Sequence, residues 1–332
     1  MSKTRTCLIF NPVAGQSNPE QDLATIQRLL EPSIDLDIRF TSEKVNADTI
    51  AYEAIAEGAS SIIASGGDGT LSAAAGALVG TNIPLGVISR GTANAFASAL
   101  GLPDTIEAAC EMILGGAVRV VDAARCNGTP MVLLAGIGFE AETIERADRD
   151  AKNRFGVLAY VMAGIQQLRE LESFEAEMEI EDKVITVTAS AVTVANAAPP
   201  TSVLAQGPGG VFFDDGLLDI TVVAPISRAG AIAASYHLLR SALNETAAER
   251  DDIGYLRARR VIVRTNPPQQ VVVDGEIMGT TPIDVECVPG GLTIFVPPDA
   301  APPAPIEKLE GLPGLKVESK PVAGFEQDGS GA

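Results

Sequence analysis

Short apolar segments alternate with amphipathic segments along the first third of the chain. The short segments are bounded by turn residues and predict buried strands, and the amphipathic segments predict helices. The predicted strands cover residues 6–10, 36–40, 61–64, 84–88 and 118–121. The predicted helices cover residues 22–30, 48–57, 71–78, 95–100 and 107–114. This alternation is typical of a parallel sheet covered by helices, so we expect an N-terminal Rossmann-like parallel α/β domain.

Four polar loops rich in small residues follow predicted strands of this domain. They are residues 11–15, Thr41, residues 66–70 and residues 91–94. Because the carboxyl ends of parallel strands meet at one edge of a sheet, we expect these loops to lie together. Such an edge predicts a phosphate or nucleotide cleft, and ordinary turn chemistry at all four loops is the alternative.

The loop at residues 66–70 has the most specific composition, Gly66-Gly67-Asp68-Gly69-Thr70. Glycines in a strand-to-helix turn let the backbone approach phosphate oxygens, which the free N–H groups of the helix then bind. The carboxylate of Asp68 would repel those phosphates unless it binds Mg2+ or accepts a proton. The loop is neither a Walker-type loop nor a dinucleotide fingerprint.

The second half of the chain has a different pattern. Charged and then apolar residues at helical spacing predict helices over residues 140–171, and a further helix is predicted over residues 227–244. The remaining segments alternate as strands, including a predicted strand at residues 131–135. We therefore expect a nucleotide-binding domain over residues 1–124, a β-rich substrate domain over residues 125–297 and a disordered tail over residues 298–332.

The charge of the chain limits its partners. The 332 residues carry 24 basic and 43 acidic side chains, a net charge of −19, and 46% of the residues are hydrophobic. An acidic globular protein of this kind is repelled by nucleic acid and by anionic membranes, so we expect no nucleic-acid partner.

Cysteine and histidine are scarce. The four cysteines show no metal-ligand spacing and are expected to be free thiols in a reducing compartment. With His237 as the single histidine, acid–base chemistry falls to Asp or Glu. No targeting segment is visible, so we expect a soluble cytoplasmic protein.

Several motifs occur together in one order along the chain. The glycine loop is preceded by Asn11-Pro12-x-x-Gly15 and followed by Gly91-Thr92-Ala93-Asn94. Further along, the motifs are Gly136-Ile137-Gly138-Phe139, Phe155-Gly156-Val157-Leu158-Ala159-Tyr160, Asp214-Asp215-Gly216-Leu217-Leu218-Asp219 and Asp274-Gly275-Glu276. This ordered set resembles the diacylglycerol kinase catalytic family, in its bacterial soluble lipid-kinase branch.

The resemblance implies an N-terminal α/β domain, a C-terminal β-sandwich domain and ATP-dependent phosphorylation of a lipid hydroxyl, that of diacylglycerol or a related lipid. By this resemblance, the residues that contact ATP would be Asn11, Pro12, Gly15, Thr41, Gly66, Gly67, Asp68, Gly69, Thr70, Gly91, Thr92 and Asn94. Asp68 would act through Mg2+ at the phosphates, with Asp122 as a second anchor. Glu276 would accept the proton of the substrate hydroxyl. The Asp215 side chain and the carbonyls of Phe212 and Leu217 would hold a second, structural Mg2+.

The chain also departs from the family pattern. Ala95 stands where aspartate is common, so one carboxylate of the expected acidic network is missing.

Three hypotheses follow: a lipid kinase, an NAD-kinase-like enzyme, and a catalytically weak nucleotide-binding regulatory protein. A lipid substrate implies transient peripheral contact with a membrane, and a homodimer is left open.

Overall fold

The N-terminal part of the chain forms a parallel sheet with helices on both faces. The computed structural model describes residues 4–15, 17–115, 117–138, 173–199, 202, 205, 211–224, 252–296 and 315–319. Four parallel strands occur in the order β4-β3-β1-β2, with bounds β1 Thr4–Phe10, β2 Ile34–Phe40, β3 Ser61–Gly66 and β4 Leu85–Ser89. The helices are α1 Pro19–Leu30, α2 Ala47–Ala56, α3 Asp68–Leu78, α4 Ala95–Ala99 and α5 Ile106–Gly115.

Alternate residues of the central strand β1 pack on opposite faces of this sheet. Cys7 and Ile9 belong to the hydrophobic cluster that includes α2 and α3, whereas Leu8 and Phe10 belong to the cluster that includes α1 and α5. Burial on both faces explains why β1 and β3 are almost continuously apolar in sequence. The predicted α/β domain is thus confirmed.

A long strand from the end of the chain joins this sheet to the second half of the protein. Strand β16, Ile283–Val296, runs parallel to β4 and antiparallel to β5, Ala117–Cys126, which itself pairs with β6, Thr129–Met131. Its register with β5 shifts between Val288 and Leu292. The first half of β16 also pairs with β13, Arg260–Asn266. One sheet therefore runs continuously from the N-terminal α/β part into the second half.

The second half is a sandwich of two antiparallel layers. One layer continues the long sheet beyond β16 in the order β13-β8-β9-β17, with β8 Phe174–Glu179, β9 Lys183–Ala189 and β17 Lys316–Ser319. The other has the order β12-β11-β10-β7-β14-β15, with β7 Leu134–Gly138, β10 Ala191–Ala195, β11 Leu218–Val223, β12 Ile253–Ala258, β14 Gln270–Val273 and β15 Glu276–Thr280. Apolar residues of both layers form one buried cluster between them, which confirms the predicted β-sandwich.

Two expectations need correction. The strand predicted at residues 131–135 is interrupted at Val132 and Leu133, because their backbone N–H groups donate to the Asp274 carboxylate. Part of the predicted disordered tail is ordered, since Lys316–Ser319 forms strand β17 on the edge of β9. The helices predicted over residues 140–171 and 227–244, and the motifs at Phe139 and at residues 155–160, lie outside the described residues.

The four cysteines are buried and free, as predicted. Burial raises the pKa of Cys7, Cys110 and Cys126 to about 11 and that of Cys287 to about 12. At neutral pH these thiols are therefore protonated and unreactive. A separate finding concerns the helices: within the described ranges none is both long enough and apolar enough to cross a membrane.

Candidate functional site

A crevice is expected where β1 and β3 lie side by side at the carboxyl edge of the sheet. The helices that follow these two strands, α1 and α3, pack on opposite faces of the sheet. In open α/β sheets this reversal of strand order marks the ligand-binding position. The loops concerned are residues 11–15 and residues 66–70, both predicted to bind nucleotide.

The structure brings these two loops into direct contact. The Asn11 side chain donates from Nδ2 to Oγ1 of the buried Thr70, over 2.8 Å. Its Oδ1 accepts the backbone N–H of Val13 at 3.1 Å, and its own backbone N–H donates to the Ser65 carbonyl at 2.9 Å. Asn11 therefore fixes the shape of its own loop and ties that loop to the first turn of α3.

Glycines allow a second close approach, between the loops that follow β3 and β4. A Cβ atom on Gly91 would lie 2.9 Å from the Cα atom of Gly67, closer than side chains approach. Gly15 has φ of +84°, and a Cβ there would lie 2.4 Å from the carbonyl oxygen of Arg90. Only glycine fits these positions without a backbone shift, so three predicted binding loops meet here.

Helix α3 begins at this meeting point. Gly67 is its N-cap and has no side chain to bind the first backbone N–H groups. Asp68 is the first helical residue, and its Oδ1 accepts the backbone N–H of Phe96, at the start of α4, over 3.1 Å. Its Oδ2 makes no hydrogen bond to any residue that the structure describes. The helix terminus thus offers N–H donors to an anion, and Asp68 keeps one oxygen for a cation between them.

The other predicted nucleotide residues lie on the loops that follow β1, β2 and β4 and at the start of α3. Thr41 follows β2 and donates its N–H to the Phe10 carbonyl at 3.0 Å, while Pro12, Gly69 and Thr92 are exposed. Asn94 has a left-handed backbone, with φ of 50° and ψ of 42°. Its buried Oδ1 accepts no hydrogen bond from the described residues.

Arg90 is a residue that the sequence analysis did not assign to the site. Its side chain is only 1% exposed, and its Nε donates to Asp22 of α1 at 2.8 Å. One terminal nitrogen donates to the carbonyl of Asn11 at 2.9 Å, and the guanidinium lies 4.3 Å from the centre of the Phe10 ring. Its backbone N–H also donates to the Gly66 carbonyl at 2.8 Å. Arg90 therefore joins α1, the loop at residues 11–15 and the end of β3.

The Asp122 carboxylate binds backbone N–H groups of two turns. Its two carboxylate oxygens accept the backbone N–H groups of Gly216, at 2.6 Å, and Gly290, at 2.8 Å. Its own N–H donates to the Phe213 carbonyl at 2.6 Å. In the ranges that the structure covers, no three acidic, histidine or cysteine side chains are grouped to hold a metal ion. The role of Asp122 seen here is to hold two turns against β5, and its role as a metal anchor stays a prediction.

Asp274 and Gly275 form the hairpin turn between β14 and β15. Both have positive φ, 48° and 92°, which is the geometry of a type I′ turn. The Asp274 carboxylate accepts three backbone N–H groups, those of Val132 at 2.8 Å, Leu133 at 2.9 Å and Leu134 at 3.1 Å. This contact was not foreseen, and it explains the interruption between β6 and β7.

Burial raises the pKa of Asp274 to about 6, because removal from water disfavours the charged carboxylate. The three N–H groups oppose this shift, and the charge of Glu276 adds to it. Glu276, the predicted base, is the exposed first residue of β15. Its position relative to the protein core is thus set by the Asp274 anchor.

A single hydrophobic cluster links the two predicted catalytic residues. Phe96, whose N–H binds Asp68, belongs to the same cluster as Val132 and Leu133, whose N–H groups bind Asp274. The residues whose N–H groups bind Asp68 and Asp274 therefore belong to one packed core. That both carboxylates act in one cleft stays a prediction.

The residues predicted to bind a structural Mg2+ make contacts with other protein groups. Oδ1 of Asp215 accepts the N–H of Leu217 at 3.1 Å, and Oδ2 forms an ion pair with Arg257. The ring of Phe212 lies 5.3 Å from the guanidinium of Arg257. Because this carboxylate is already paired with a cation, the ligand set does not fit a second positive ion.

Two family models together match most of the chain. The diacylglycerol kinase catalytic domain matches residues 5–126, and the YegS C-terminal NAD kinase beta sandwich-like domain matches residues 134–296. The first match contains the loops at the carboxyl edge of the parallel sheet, and the second contains most of the sandwich. Strand β5 runs across the domain boundary that was predicted at residue 124, and that boundary stays a prediction.

Relatives and a solved structure agree with these matches. The chain is 52% identical to an uncharacterized protein of Synechocystis sp. (strain ATCC 27184 / PCC 6803 / Kazusa), covering 90% of this chain and 71% of the relative. It is 30% identical to "Diacylglycerol kinase" of Bacillus subtilis (strain 168), covering 84% and 91%. A crystal structure of a diacylglycerol kinase from Bacillus anthracis str. Sterne superposes with a TM-score of 0.71 at 25% identity, covering 90% and 98%. The chain is also 30% identical to "Probable lipid kinase YegS-like" of Xanthomonas oryzae pv. oryzae (strain MAFF 311018), covering 90% and 98%. The chain therefore belongs to the diacylglycerol kinase family, among its YegS-like lipid kinases.

Proposed function

We propose that this lipid kinase transfers the γ-phosphoryl group of ATP to the hydroxyl of diacylglycerol or a related lipid. The observation that carries the proposal is the uncapped N-terminus of α3, where three glycine-containing loops meet beside Asp68. An uncapped helix terminus binds phosphate oxygens through its free N–H groups and its dipole. The proposal also rests on the family, whose named members include lipid kinases.

Phosphoryl transfer needs positioning and charge neutralisation more than covalent work by the protein. The N–H groups at Asp68 and Gly69 would bind phosphate oxygens, and Asn11 with Arg90 would hold the opposite loop in place. Asp68 would hold Mg2+ through its second oxygen, and the ion would neutralise charge on the phosphates. The close approach of Gly67 and Gly91 brings the loop after β4 against the start of α3, beside the Asp68 N–H group.

The acceptor hydroxyl needs a base as its oxygen attacks. Glu276 is an exposed carboxylate at the start of an edge strand, fixed to the core through the neighbouring Asp274. We assign Glu276 the proton of the lipid hydroxyl, because a carboxylate suffices as the base for this step. The exposed Ile277 and Met278 follow it directly, and they would contact the apolar part of the substrate.

A lipid substrate in a bilayer requires the enzyme to reach the membrane surface. We propose transient peripheral contact of a cytoplasmic protein, since the net charge of −19 opposes stable adsorption to anionic lipid. Whether a homodimer forms is a separate question, which sedimentation of the purified chain answers.

The test is transfer of label from [γ-32P]ATP to a mixed lipid extract. The wild type should label a lipid product, and Asp68→Asn and Glu276→Gln should each lower the rate by about 100-fold or more. Matched controls are Asp48→Asn, also in the first turn of a helix, and Glu286→Gln, also an exposed strand residue. Both controls should keep the wild-type rate.

Three results would contradict the proposal. Labelling of NAD but of no lipid would indicate an NAD-kinase-like enzyme. Binding of Mg-ATP without any transfer would indicate the regulatory protein that Ala95 made a candidate. Lipid labelling that survives in both site variants would mean that the chemistry lies elsewhere in the chain.

A further inference from the structure

The turn at residues 211–217 contains two phenylalanines followed by two aspartates, and two arginines hold it. Arg119 of β5 forms an ion pair with Asp214, and its guanidinium lies 5.4 Å from the centre of the Phe213 ring. Arg257 of β12 forms the equivalent pair with Asp215 and lies 5.3 Å from the Phe212 ring. Each arginine therefore binds one aromatic ring and one carboxylate of the same turn.

Arg257 is the more deeply buried of the two, and it has a second acidic partner. Its Nε donates to Oδ1 of Asp219 at 3.1 Å, and Asp219 is fully buried. Asp219 also accepts the Tyr255 hydroxyl through Oδ1 and the backbone N–H of Phe212 through Oδ2. Arg257 thus contacts two carboxylates, that of Asp215 in the turn and that of Asp219 in the strand that follows it.

A neighbouring carboxylate adds to the negative field around Arg257. Burial lowers the pKa of its guanidinium, and the charge of Asp122 opposes that effect. Asp122 binds the N–H of Gly216 in the same turn. Three carboxylates therefore act on one guanidinium, which explains why a buried cation is tolerated here.

The resemblance assigned this place to a Mg2+ ion bound by Asp215 and the carbonyls of Phe212 and Leu217. Mg2+ requires near-octahedral oxygen ligands at about 2.1 Å and gives up its water reluctantly. Here one oxygen of Asp215 accepts an N–H and the other is paired with Arg257. An ion at this carboxylate would also lie beside the guanidinium charge, which repels it.

We propose that Arg257 is the resident cation of this turn, in place of a structural Mg2+. The guanidinium is covalently part of β12, so the turn keeps its shape at any concentration of free Mg2+. Since the turn binds Asp122 through Gly216 and Phe213, the same contact keeps the sandwich attached to β5. Any Mg2+ requirement of the protein then belongs to its nucleotide alone.

The test is thermal unfolding of the full chain without nucleotide or lipid, after dialysis against EDTA. Addition of about 5 mM MgCl2 at matched ionic strength should move the wild-type Tm by less than about 1 °C. Arg257→Met should have a lower Tm, and MgCl2 should raise that Tm because Asp215 becomes free. The double variant Arg257→Met, Asp215→Asn should not respond to MgCl2. Arg257→Lys, which keeps a charge, should lie between wild type and Arg257→Met.

A metal analysis of the dialysed wild type keeps the test decisive if Arg257→Met fails to fold. We expect less than about 0.1 Mg2+ per chain, whereas a structural ion predicts about 1. The proposal is overturned if the wild type retains stoichiometric Mg2+, or if MgCl2 raises its Tm by several degrees and Asp215→Asn abolishes the rise. These measurements use no substrate, so their outcome is independent of the proposed phosphoryl transfer.

Discussion

Removal of the Asp274 carboxylate should destabilise the protein more than any ordinary turn substitution. Three backbone N–H groups depend on it, at Val132, Leu133 and Leu134, and the first two residues are buried. Asp274→Gly is the informative variant, because glycine accepts the positive φ of 48° and only the carboxylate is lost. Asp274→Ala adds the cost of a left-handed alanine, and Asp274→Asn keeps one acceptor oxygen.

The expected cost follows from the three hydrogen bonds. Each bond to a charged acceptor contributes about 1.5–3 kcal/mol, and burial of the carboxylate charge, which also raises its pKa, offsets part of that sum, so we expect Asp274→Gly to lose about 3–5 kcal/mol. The left-handed backbone should bring Asp274→Ala to about 4–6 kcal/mol. Asp274→Asn should lose only about 1–2 kcal/mol. Since folded proteins are stable by about 5–15 kcal/mol, the first two losses are large.

The assay is urea unfolding at pH 8, followed by far-UV circular dichroism, for the wild type and the three variants. The urea concentration at the midpoint should fall in the order wild type, Asp274→Asn, Asp274→Gly and Asp274→Ala. The dependence of the unfolding free energy on urea should be similar for all four proteins. An Asp274→Gly variant within about 1 kcal/mol of the wild type would refute the reasoning, because a normal hydrogen bond loss already costs that much. The three N–H groups would then not depend on this carboxylate.

Three further predictions concern Gly15, Arg90 and the pH dependence of the Asp274 contact. Gly15→Ala should weaken binding of a fluorescent ATP analogue by about 10-fold or more, because its Cβ meets a carbonyl oxygen, while Gly58→Ala, with the same φ of +84° in open space, should not. Arg90→Met should lower the free energy of unfolding in urea by about 3–5 kcal/mol, because it breaks a buried ion pair. Arg5→Met, which breaks an exposed ion pair, should lower it by less than about 1 kcal/mol. Burial raises the pKa of Asp274 from 3.8 to about 6, so the folded state binds a proton more readily than the unfolded state. The stability advantage of wild type over Asp274→Asn should therefore shrink as pH rises from about 4 to about 7, and a growing advantage would contradict the sign.

The parallel α/β part was predictable because its signals are local. Each strand is an apolar run, each helix has its own period, and glycine loops mark the strand ends. The Asp274-Gly275 turn was predictable for the same reason, since the dipeptide itself favours a type I′ turn. Local residue chemistry was therefore sufficient for the elements and for the turn that precedes Glu276.

The contacts that hold the site together were not predictable, because they join residues far apart in the chain. Arg90 reaches Asp22 across 68 residues, and Asp274 reaches Leu133 across 141. An arginine beside glycine in a turn is by default exposed, and nothing nearby in the sequence marks it as buried. The ion pair between Asp215 and Arg257 was not predictable for the same reason, since Arg257 lies on a different strand.

The sequence also did not predict that β16 joins the two halves of the protein. Ile294 pairs with Leu85, and the strand is interrupted by a register shift after Val288. Its apolar residues look the same whether they cover a sandwich or extend a parallel sheet. Only the structure shows that this one strand pairs with both the parallel sheet and a layer of the sandwich.

The most direct test of the central claim is a crystal structure of the full chain with Mg2+ and a non-hydrolysable ATP analogue. The account predicts phosphate oxygens within about 3 Å of the N–H groups at the start of α3, with Mg2+ on Asp68 and with Glu276 facing the γ-phosphate across one cleft. Phosphates bound away from residues 66–70, or a Glu276 carboxylate on a different face of the protein from the nucleotide, would contradict it.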